Sequence, residues 1–469
     1  MKFLIASALL LSNVGIKWLQ NNFGTYDKIQ KQIHEYAEPA FQEYKSSELL
    51  IKHLEENGFA VERGVANIPT AFVATFGSGE PVIGLLAEYD ALPALSQDTT
   101  AMYSPRVKDG WGHGCGHNLL GTGSVAAAVA VSKWLAEGHK GTIKLFGCPA
   151  EEGGSAKGYM VEAGLFDDVD CAVAYHPARR NRILRETYSA KIGILFDFKG
   201  ISSHSAGSPQ KGRSAVDGVE ALNYMTNLNR EHFPSDCRVH YIITNGGVSP
   251  STVPDEAQAY YFIRHHDLEV LQQILERTIR AAEGAAMGTG TTMTYKLVTG
   301  SHPILHNEHL SQIAQRNLEK VGGVYLTDAE KAYASELKRN AGRTDPVDFS
   351  LFEEVQPLTD IIVAGGSDDT GDVSQVVPLC KVETCANLIG AHTWHFSSIS
   401  GTTIGTKALV KGAEAIYWTV VEVFSKPKEL KAIRDEFESV QGKDYRQKYR
   451  MLSGELNEVM EFFRNQATK

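Results

Sequence analysis

Residues 111–118 read Trp-Gly-His-Gly-Cys-Gly-His-Asn, and the rest of the sequence is best understood outward from this stretch. His113, Cys115 and His117 alternate with glycine, so an extended backbone would direct all three side chains to one side. Imidazole and thiolate suit zinc and similar borderline metals, and glycine lets the backbone close around an ion. The stretch therefore predicts part of a metal site. The alternative is a Gly-rich turn with one buried cysteine and two surface histidines.

Further ionisable residues belong with this stretch, and most of them directly follow an apolar run that predicts a strand. In open α/β sheets, ligands gather at the carboxyl ends of the strands. Taken singly, each has an ordinary explanation, such as a solvated loop or a boundary histidine, but together they predict one site. These residues are Glu88 with Asp90, Glu151 with Glu152, His176, and, far downstream, His392 with His395.

The apolar runs predict an α/β fold. Strand-like runs at residues 71–76, 82–86, 143–146 and 171–175 are separated by helical patterns, which favours a sheet covered by helices on both faces. Residues 119–135 are rich in Gly, Ala and Val and predict a buried helix against this sheet. The polar stretch 333–346 predicts a loop insertion.

Between residues 188 and 300 the pattern changes to β-α-β-β-α-β, which fits a small α+β module inserted into a larger domain. We therefore expect a catalytic domain of residues 23–187 and 301–440, an inserted domain of residues 188–300, and a helical tail of residues 441–469. Residues 1–22 form a possible signal segment, because an apolar run follows Lys2; the alternative is a buried or free N-terminal helix. Export, periplasmic or secreted, is slightly favoured over a cytoplasmic location.

Composition narrows the class of protein. The chain has 469 residues with 46 Lys and Arg against 56 Asp and Glu, a net charge of −10, which argues against nucleic acid as a partner. The 43% hydrophobic content is that of a soluble globular protein, and the length favours two domains. The sequence has no run of 18 apolar residues, so we expect no membrane span.

Five motifs follow one another along the chain: Ala-Glu-Tyr-Asp-Ala-Leu (87–92), Gly-His-Gly-Cys-Gly-His-Asn (112–118), Pro-Ala-Glu-Glu-Gly-Gly (149–154), Lys-Gly-Ile-Ser-Ser-His-Ser-Ala (199–206) and His-Thr-Trp (392–394). Together they resemble the amidohydrolase branch of the aminoacylase and carboxypeptidase metallohydrolases. The likeness covers roughly residues 26–421. Within the branch, two segments are similar to the p-aminobenzoyl-glutamate hydrolases: the second motif, including Asn118, with its continuation Leu-Leu-Gly-Thr, and Phe-Asp-Asp-Val-Asp at residues 166–170.

The resemblance implies a metallopeptidase-like catalytic domain, with a mixed sheet between helices, that holds two divalent metal ions. Zinc is the first choice, with manganese or nickel as alternatives, because mixed ligands do not single out one ion. Glu151 matches the general base, and Asp90 matches a residue that holds a ligand histidine in one tautomer. His392 is preferred to His395 from the alignment of its motif, and His113 is left as a supporting residue. The implied metal ligands are Cys115, His117, Glu152, His176 and His392.

The inserted module resembles the lid and dimerisation domain of that family, which implies a homodimer. In relatives, a histidine at the position of His204 reaches the active site of the partner subunit and stabilises the developing oxyanion. Arg264 matches an arginine that could bind a substrate carboxylate in bidentate fashion; the alternative is a salt bridge at a strand end.

The implied activity is hydrolysis of the amide bond in N-acyl or N-aroyl amino acids, such as p-aminobenzoyl-glutamate-like conjugates. Within that class, the alternative is a metallo-dipeptidase that acts on small unblocked dipeptides. A different class of function is a catalytically silent, metal-stabilised dimer that binds amino-acid conjugates. This last hypothesis is disfavoured, because the predicted base and all predicted ligands are present.

Overall fold

A computed structural model describes residues 13–467. The strands are β1 Ala60–Arg63, β2 Phe72–Ser78, β3 Val82–Ala87, β4 Gly141–Gly147, β5 Cys171–Ala178, β6 Arg182–Ile183, β7 Glu186–Tyr188, β8 Ala190–Lys199, β9 Arg238–Asn245, β10 Glu256–His265, β11 Thr292–Ser301, β12 Ile362–Ala364 and β13 Leu379–Cys385. The helices are α1 Val14–Asn21, α2 Phe23–Tyr36, α3 Tyr44–Glu56, α4 His117–Leu135, α5 Ala156–Glu162, α6 Ala215–Asn229, α7 Leu268–Thr289, α8 Glu308–Val321, α9 Asp328–Asn340, α10 Ser350–Glu353, α11 Thr370–Ser374, α12 Trp394–Ser400, α13 Thr403–Ser425, α14 Pro427–Gln441, α15 Tyr445–Lys448 and α16 Leu456–Ala467.

The larger sheet is mixed and lies between helices, so the predicted α/β class is confirmed. Its strand order is β1-β2-β4-β3-β5-β13-β6. Strand β3 runs parallel to β4 and β5, β13 runs parallel to β5, and the remaining pairs are antiparallel. Helices α4 and α13 cover one face, while α5 and α11 cover the other. Both faces are therefore buried, which explains why these strands read as continuous apolar runs.

Helix α4 packs unusually close to this sheet, because its small residues allow the approach. A Cβ atom at Gly121 would lie 2.5 Å from the backbone oxygen of Glu88, and one at Gly123 would lie 2.9 Å from the ring of Tyr175. The predicted buried helix is confirmed, and it begins at His117. The close packing brings the first turn of α4 to the carboxyl ends of β3 and β5.

A second sheet, antiparallel, has the order β11-β8-β10-β9. Along the chain its elements run β8-α6-β9-β10-α7-β11, which is the β-α-β-β-α-β order that the sequence predicts. Alternate residues of β8, such as Ile192 and Ile194, form a separate core with α6 and α7. The residues that alternate with these, Lys191 among them, lie on the opposite face, part of which packs against α16.

The predicted loop at residues 333–346 is wrong over its first half, because helix α9 extends to Asn340. Thr327 and Glu330 form a capping box at its start, which satisfies the free backbone N–H groups of the first turn. Only Ala334 and Leu337 of this helix are buried. An exposed helix has a mostly polar sequence, and that polarity resembles a loop.

Residues 1–12 of the predicted signal segment lie outside the described residues. Helix α1 follows directly and packs against the larger core: Leu19 is buried, and the Trp18 indole donates a hydrogen bond to the Tyr26 hydroxyl at 3.2 Å. A Cβ atom at Gly15 would lie 2.2 Å from the ring of Tyr417. Within residues 13–467, no helix combines the length and the apolar composition needed to cross a membrane.

Candidate metal centre and active site

The histidine and cysteine stretch turns instead of running straight, so the expectation of an extended backbone is wrong. Gly116 has φ +77° at the start of α4, and a Cβ atom there would lie 2.7 Å from the ring of Phe396. The turn directs the buried His113 away from its neighbours, and its Nε2 donates to the Ile33 carbonyl at 3.0 Å. Cys115 and His117 remain together.

The first group of predicted ligands comprises Cys115, His117 and His176, whose ligand atoms all lie within 4.8 Å of one another. The Cys115 Sγ is 3.5 Å from the His176 Nε2. His176 donates through Nδ1 to the Pro177 carbonyl at 2.7 Å, and His117 donates through Nδ1 to Asp90 Oδ1 at 2.8 Å. Because each Nδ1 carries the proton, both Nε2 atoms are free to bind a metal.

The second group comprises Cys115, Glu152 and His392, again with ligand atoms within 4.8 Å of one another. Glu152 Oε2 and His392 Nε2 are 3.2 Å apart. The backbone N–H of His392 donates to the Gly114 carbonyl at 2.7 Å, which ties this distant loop to the Cys115 turn. His395 belongs to neither group; its ring lies 3.9 Å from that of Trp394.

Buried atoms without partners show that these residues fit metal ions. Within the described part of the chain, His117 Nε2 and Glu152 Oε1 are buried and have no hydrogen-bond partner. A buried polar atom left unsatisfied costs about 1 to 3 kcal/mol, so these atoms call for a ligand. The donor set of imidazole, thiolate and carboxylate suits a borderline divalent ion, and Cys115 is common to both groups.

The charges of the two groups stabilise one another. Burial acts to raise the pKa of the Cys115 thiol, but His176 and His117 outweigh it and lower that pKa to about 6. Burial also acts to raise the pKa of the Glu152 carboxyl, but the hydrogen bond from His392 and the charge of His117 lower that pKa to about 2. The hydrogen bonds with Cys115 and Glu152 raise the pKa of His392 to about 11. The thiolate and carboxylate forms that bind metal are therefore favoured.

Glu151 stands beside the ligand groups. Its Oε2 lies 3.8 Å from His117 Nε2, and its side chain is 11% exposed. Burial raises the pKa of the Glu151 carboxyl well above its usual range, and the carboxylates of Asp368 and Glu152 add to the effect. Adjacent in sequence, Glu151 and Glu152 thus have pKa values displaced in opposite directions, an arrangement that separates acid–base roles.

A network of buried ion pairs lies next to these residues, and the sequence analysis did not predict it. The ammonium of Lys157, fully buried, pairs with Glu88 Oε1 at 2.7 Å and with Asp369. Lys381 pairs with Asp368 in the same network. The available signal was Gly-Gly-Ser-Asp-Asp-Thr-Gly-Asp at residues 365–372, a glycine-rich segment with adjacent carboxylates.

A cavity of about 300 Å³ connects these groups and has the size of a small-molecule site. Beside the predicted ligands Cys115, Glu152, His176 and His392, it is lined by Glu151, Tyr188, Lys191, Phe262, Arg264, Asp368, Lys381 and Glu383, among others. The predicted substrate residue Arg264 therefore lies in the same cavity as the predicted base. A larger cavity of about 620 Å³ lies at the opposite ends of the strands, and no predicted site residue lines it.

The structure does not bring His204 to the ligands of its own chain. It is exposed and does not line the cavity. Its Nδ1 accepts hydrogen bonds from the backbone N–H groups of Ala206 and Gly207, at 3.2 and 3.1 Å. In the neutral ring the proton therefore sits on Nε2, which leaves His204 with a donor directed away from this loop.

Several known proteins are similar to this chain in sequence. The family model of peptidase family M20/M25/M40 matches residues 84–422. One of the subunits of p-aminobenzoyl-glutamate hydrolase from Escherichia coli (strain K12) is 38% identical over 444 residues, which cover 88% of this chain and 92% of that protein. Xaa-Arg dipeptidase from Mus musculus is 27% identical over 87% of this chain and 88% of that protein.

Two solved structures share the fold. The aminobenzoyl-glutamate utilization protein from Klebsiella pneumoniae has a TM-score of 0.58 at 17% identity, covering 84% of this chain and 97% of that chain. A peptidase from Bacillus subtilis, described as dinuclear metal binding and of the M20 family, has a TM-score of 0.57 at 19% identity, covering 86% and 99%. At these identities the likeness concerns the fold alone.

Proposed function

The chain belongs to peptidase family M20/M25/M40 and hydrolyses amide bonds, and from this premise we propose that its substrates are N-acyl or N-aroyl amino acids, with p-aminobenzoyl-glutamate as the reference compound. The observation that carries the proposal is the shared cavity. Glu151, members of both groups of candidate metal ligands and the Arg264 guanidinium all line this one cavity. An N-acyl amino acid has one amide to cleave and one carboxylate to hold.

We propose that the two ligand groups hold two divalent ions, zinc first, with manganese or nickel as alternatives. When bound, the ions would polarise the amide carbonyl and lower the pKa of water. Glu151 would take the proton from the attacking water at its Oε2 and deliver it to the leaving nitrogen. Arg264 would orient the substrate through its carboxylate, and the Asp90 carboxylate would keep His117 Nδ1 protonated so that Nε2 stays free.

A paired assay tests this function. Purified protein of known metal content is given p-aminobenzoyl-glutamate, N-acetyl amino acids and unblocked dipeptides, and release of the amine product is measured. Glu151→Gln should lower kcat by on the order of 100-fold or more with the metal content unchanged, because it removes the base and keeps the shape. Glu62→Gln, on the exposed edge strand β1, is the matched control. Turnover of dipeptides alone would overturn the substrate proposal, and full activity of Glu151→Gln would overturn the mechanism.

We also propose that the inserted domain, residues 188–300, forms a homodimer and places His204 in the active site of the partner subunit. Apolar side chains exposed on α6 and the edge strand β9 support this: Tyr224 is 67% exposed, Leu228 56% and Ile242 60%. The relative from Escherichia coli is named a subunit, so a different partner chain is the alternative outcome when mass is measured in solution.

Mixing two inactive variants tests the role of His204. A dimer of one Glu151→Gln chain and one His204→Ala chain keeps one complete site if His204 crosses the interface, because the intact base and the intact histidine come from different chains. Random pairing after co-expression should then restore about a quarter of the wild-type activity. If His204 acts within its own chain, the mixture has only the residual activity of the two variants.

A further inference from the structure

We propose that Lys191 and Arg264 together select a dicarboxylic amino acid, with Arg264 holding the α-carboxylate and Lys191 the side-chain carboxylate. The proposal rests on the amidohydrolase function above and deepens it by naming the substrate class, N-acyl derivatives of acidic amino acids. It also assigns a specificity role to Lys191, a residue that the sequence motifs do not mark.

The register of the smaller sheet places the two cations side by side. Lys191 in β8 lies directly opposite Arg264 in β10. Both occupy the face opposite α6 and α7, and both line the cavity that contains Glu151. The Lys191 Nζ and the Arg264 guanidinium each lie 5.5 Å from the centre of the Phe262 ring, so this ring sets the position of both charges.

Neither cation forms an ion pair in the described part of the chain, although the charge of Glu151, in the same cavity, acts on both. Lys191 is only 6% exposed and Arg264 is half-buried, yet no carboxylate of residues 13–467 lies within ion-pair distance of either. The Arg264 Nε is buried without a hydrogen-bond partner. Like charges directly opposite each other destabilise a sheet, and a buried unpaired charge is costly. An anion bound beside both side chains would therefore stabilise the pair.

Three further charged residues that line the cavity, Asp368, Lys381 and Glu383, are already paired. Lys381 pairs with Asp368, and Glu383 accepts from Arg182 at 2.6 Å. A cationic substrate side chain placed beside Lys191 and Arg264 would therefore be repelled by both, whereas an anionic one would be attracted to both. The cavity thus favours an acidic amino acid over a basic one.

The shapes of the two cations fit two carboxylates better than one. The planar guanidinium of Arg264 matches a single carboxylate through two parallel hydrogen bonds. Lys191 carries a compact point charge with three donors, which suits a separate anionic group. Side chains of directly opposite residues start about 5 Å apart. The two carboxyl groups of a glutamate are separated by three carbons, a comparable distance.

Two conjugates that differ by one charge test the proposal: p-aminobenzoyl-glutamate and p-aminobenzoyl-glutamine. A hydrogen bond between charged groups should make the wild-type kcat/KM about 10- to 100-fold higher for the glutamate conjugate. Lys191→Met should abolish this preference, mainly through a raised KM for the glutamate conjugate, and Lys191→Arg should restore part of it. Arg264→Met should lower kcat/KM for both conjugates alike. Lys199→Met, at the exposed end of the same strand, is the matched control and should keep the preference.

A binding measurement makes the test independent of turnover. Calorimetric titration of Glu151→Gln protein should show tighter binding of the glutamate conjugate, and adding Lys191→Met should remove the difference. Equal binding of both conjugates, or an equal loss for both in Lys191→Met, would overturn the role of Lys191. Selective binding without any hydrolysis by the metal-loaded wild type would instead overturn the amidohydrolase function and leave the charge selection in place.

Discussion

Replacing Asp90 by asparagine should weaken metal binding although no metal ligand is changed. Asp90 is 1% exposed and accepts two hydrogen bonds, one from His117 Nδ1 at 2.8 Å and one from the backbone N–H of Glu152 at 3.0 Å. Asparagine has the same shape but offers one acceptor oxygen and one NH₂ group. His117 Nδ1 and the Glu152 backbone N–H are both donors. In the variant, one of them must therefore face the NH₂ group, which is also a donor, and loses its hydrogen bond.

The expected magnitude follows from these contacts. Loss of a residue that orients a ligand histidine typically lowers metal affinity 10- to 100-fold. That range corresponds to about 1.4 to 2.7 kcal/mol. A buried donor left unsatisfied costs about 1 to 3 kcal/mol in addition, so the metal-free variant should also unfold at lower denaturant concentration.

The assay is a competition titration of metal-free protein with zinc and a chromophoric chelator. Asp168→Asn is the matched control, because that carboxylate is 57% exposed and pairs only with Lys144 on the surface. The control should bind zinc like the wild type. If Asp90→Asn binds zinc within about threefold of the wild type, the proposed tie between Asp90 and His117 has no functional consequence and the reasoning fails.

Three further predictions concern stability. Lys157→Met removes the ammonium that pairs with the buried Glu88 and Asp369 carboxylates. It should lower the free energy of unfolding in urea by about 3 to 5 kcal/mol, because a buried charge loses its partner. The surface variant Lys144→Met should lower it by at most about 1 kcal/mol, and equal losses would contradict the prediction. Burial lowers the pKa of His34 to about 4 from 6.5, so the unfolded chain binds a proton that the folded chain excludes, and stability falls as pH drops from 6.5 to 4. His34→Gln should flatten that slope by about 1 kcal/mol per pH unit in urea titrations at successive pH values, and an unchanged slope would show that His34 titrates normally. Chelation should lower the melting temperature, and zinc should restore it, since an ion at 100 times its dissociation constant contributes about 2.7 kcal/mol; a melting temperature indifferent to both would contradict a metal-dependent site.

The sequence was sufficient for the parts of this protein that depend on local patterns. Apolar runs located the core strands, and the small residues at 121 and 123 indicated a helix packed against the sheet. The motifs also located the residues that the structure gathers around Cys115. The hydrophobic pattern did not predict helix α9, because most of this helix is exposed and its sequence is as polar as that of a loop. Thr327 and Glu330, which form the capping box at its start, were the signal that could have identified it.

What the sequence could not supply depends on how distant segments meet. Lys191 and Arg264 are 73 positions apart in the chain, and only the register of β8 against β10 makes them neighbours. The pairing of Lys157 with Asp369 likewise joins segments that are 212 positions apart in the chain. Such contacts leave no periodic trace in either segment, because each residue alone looks like an ordinary charged surface residue.

The proposed roles of Glu151 and Glu152, base and metal ligand, rest on the different contacts that these two adjacent glutamates make in the structure. The backbone N–H of Glu152 is held by Asp90, and its carboxylate meets His392, so this residue is fixed on the side of the ligand groups. Glu151, one position earlier, belongs to neither of the two groups around Cys115, and it lines the cavity together with Lys191 and Arg264. A substrate whose carboxylates were held by those two cations would have its amide next to the Glu151 carboxylate. The same geometry therefore links the proposed base to the proposed selection of an acidic amino acid.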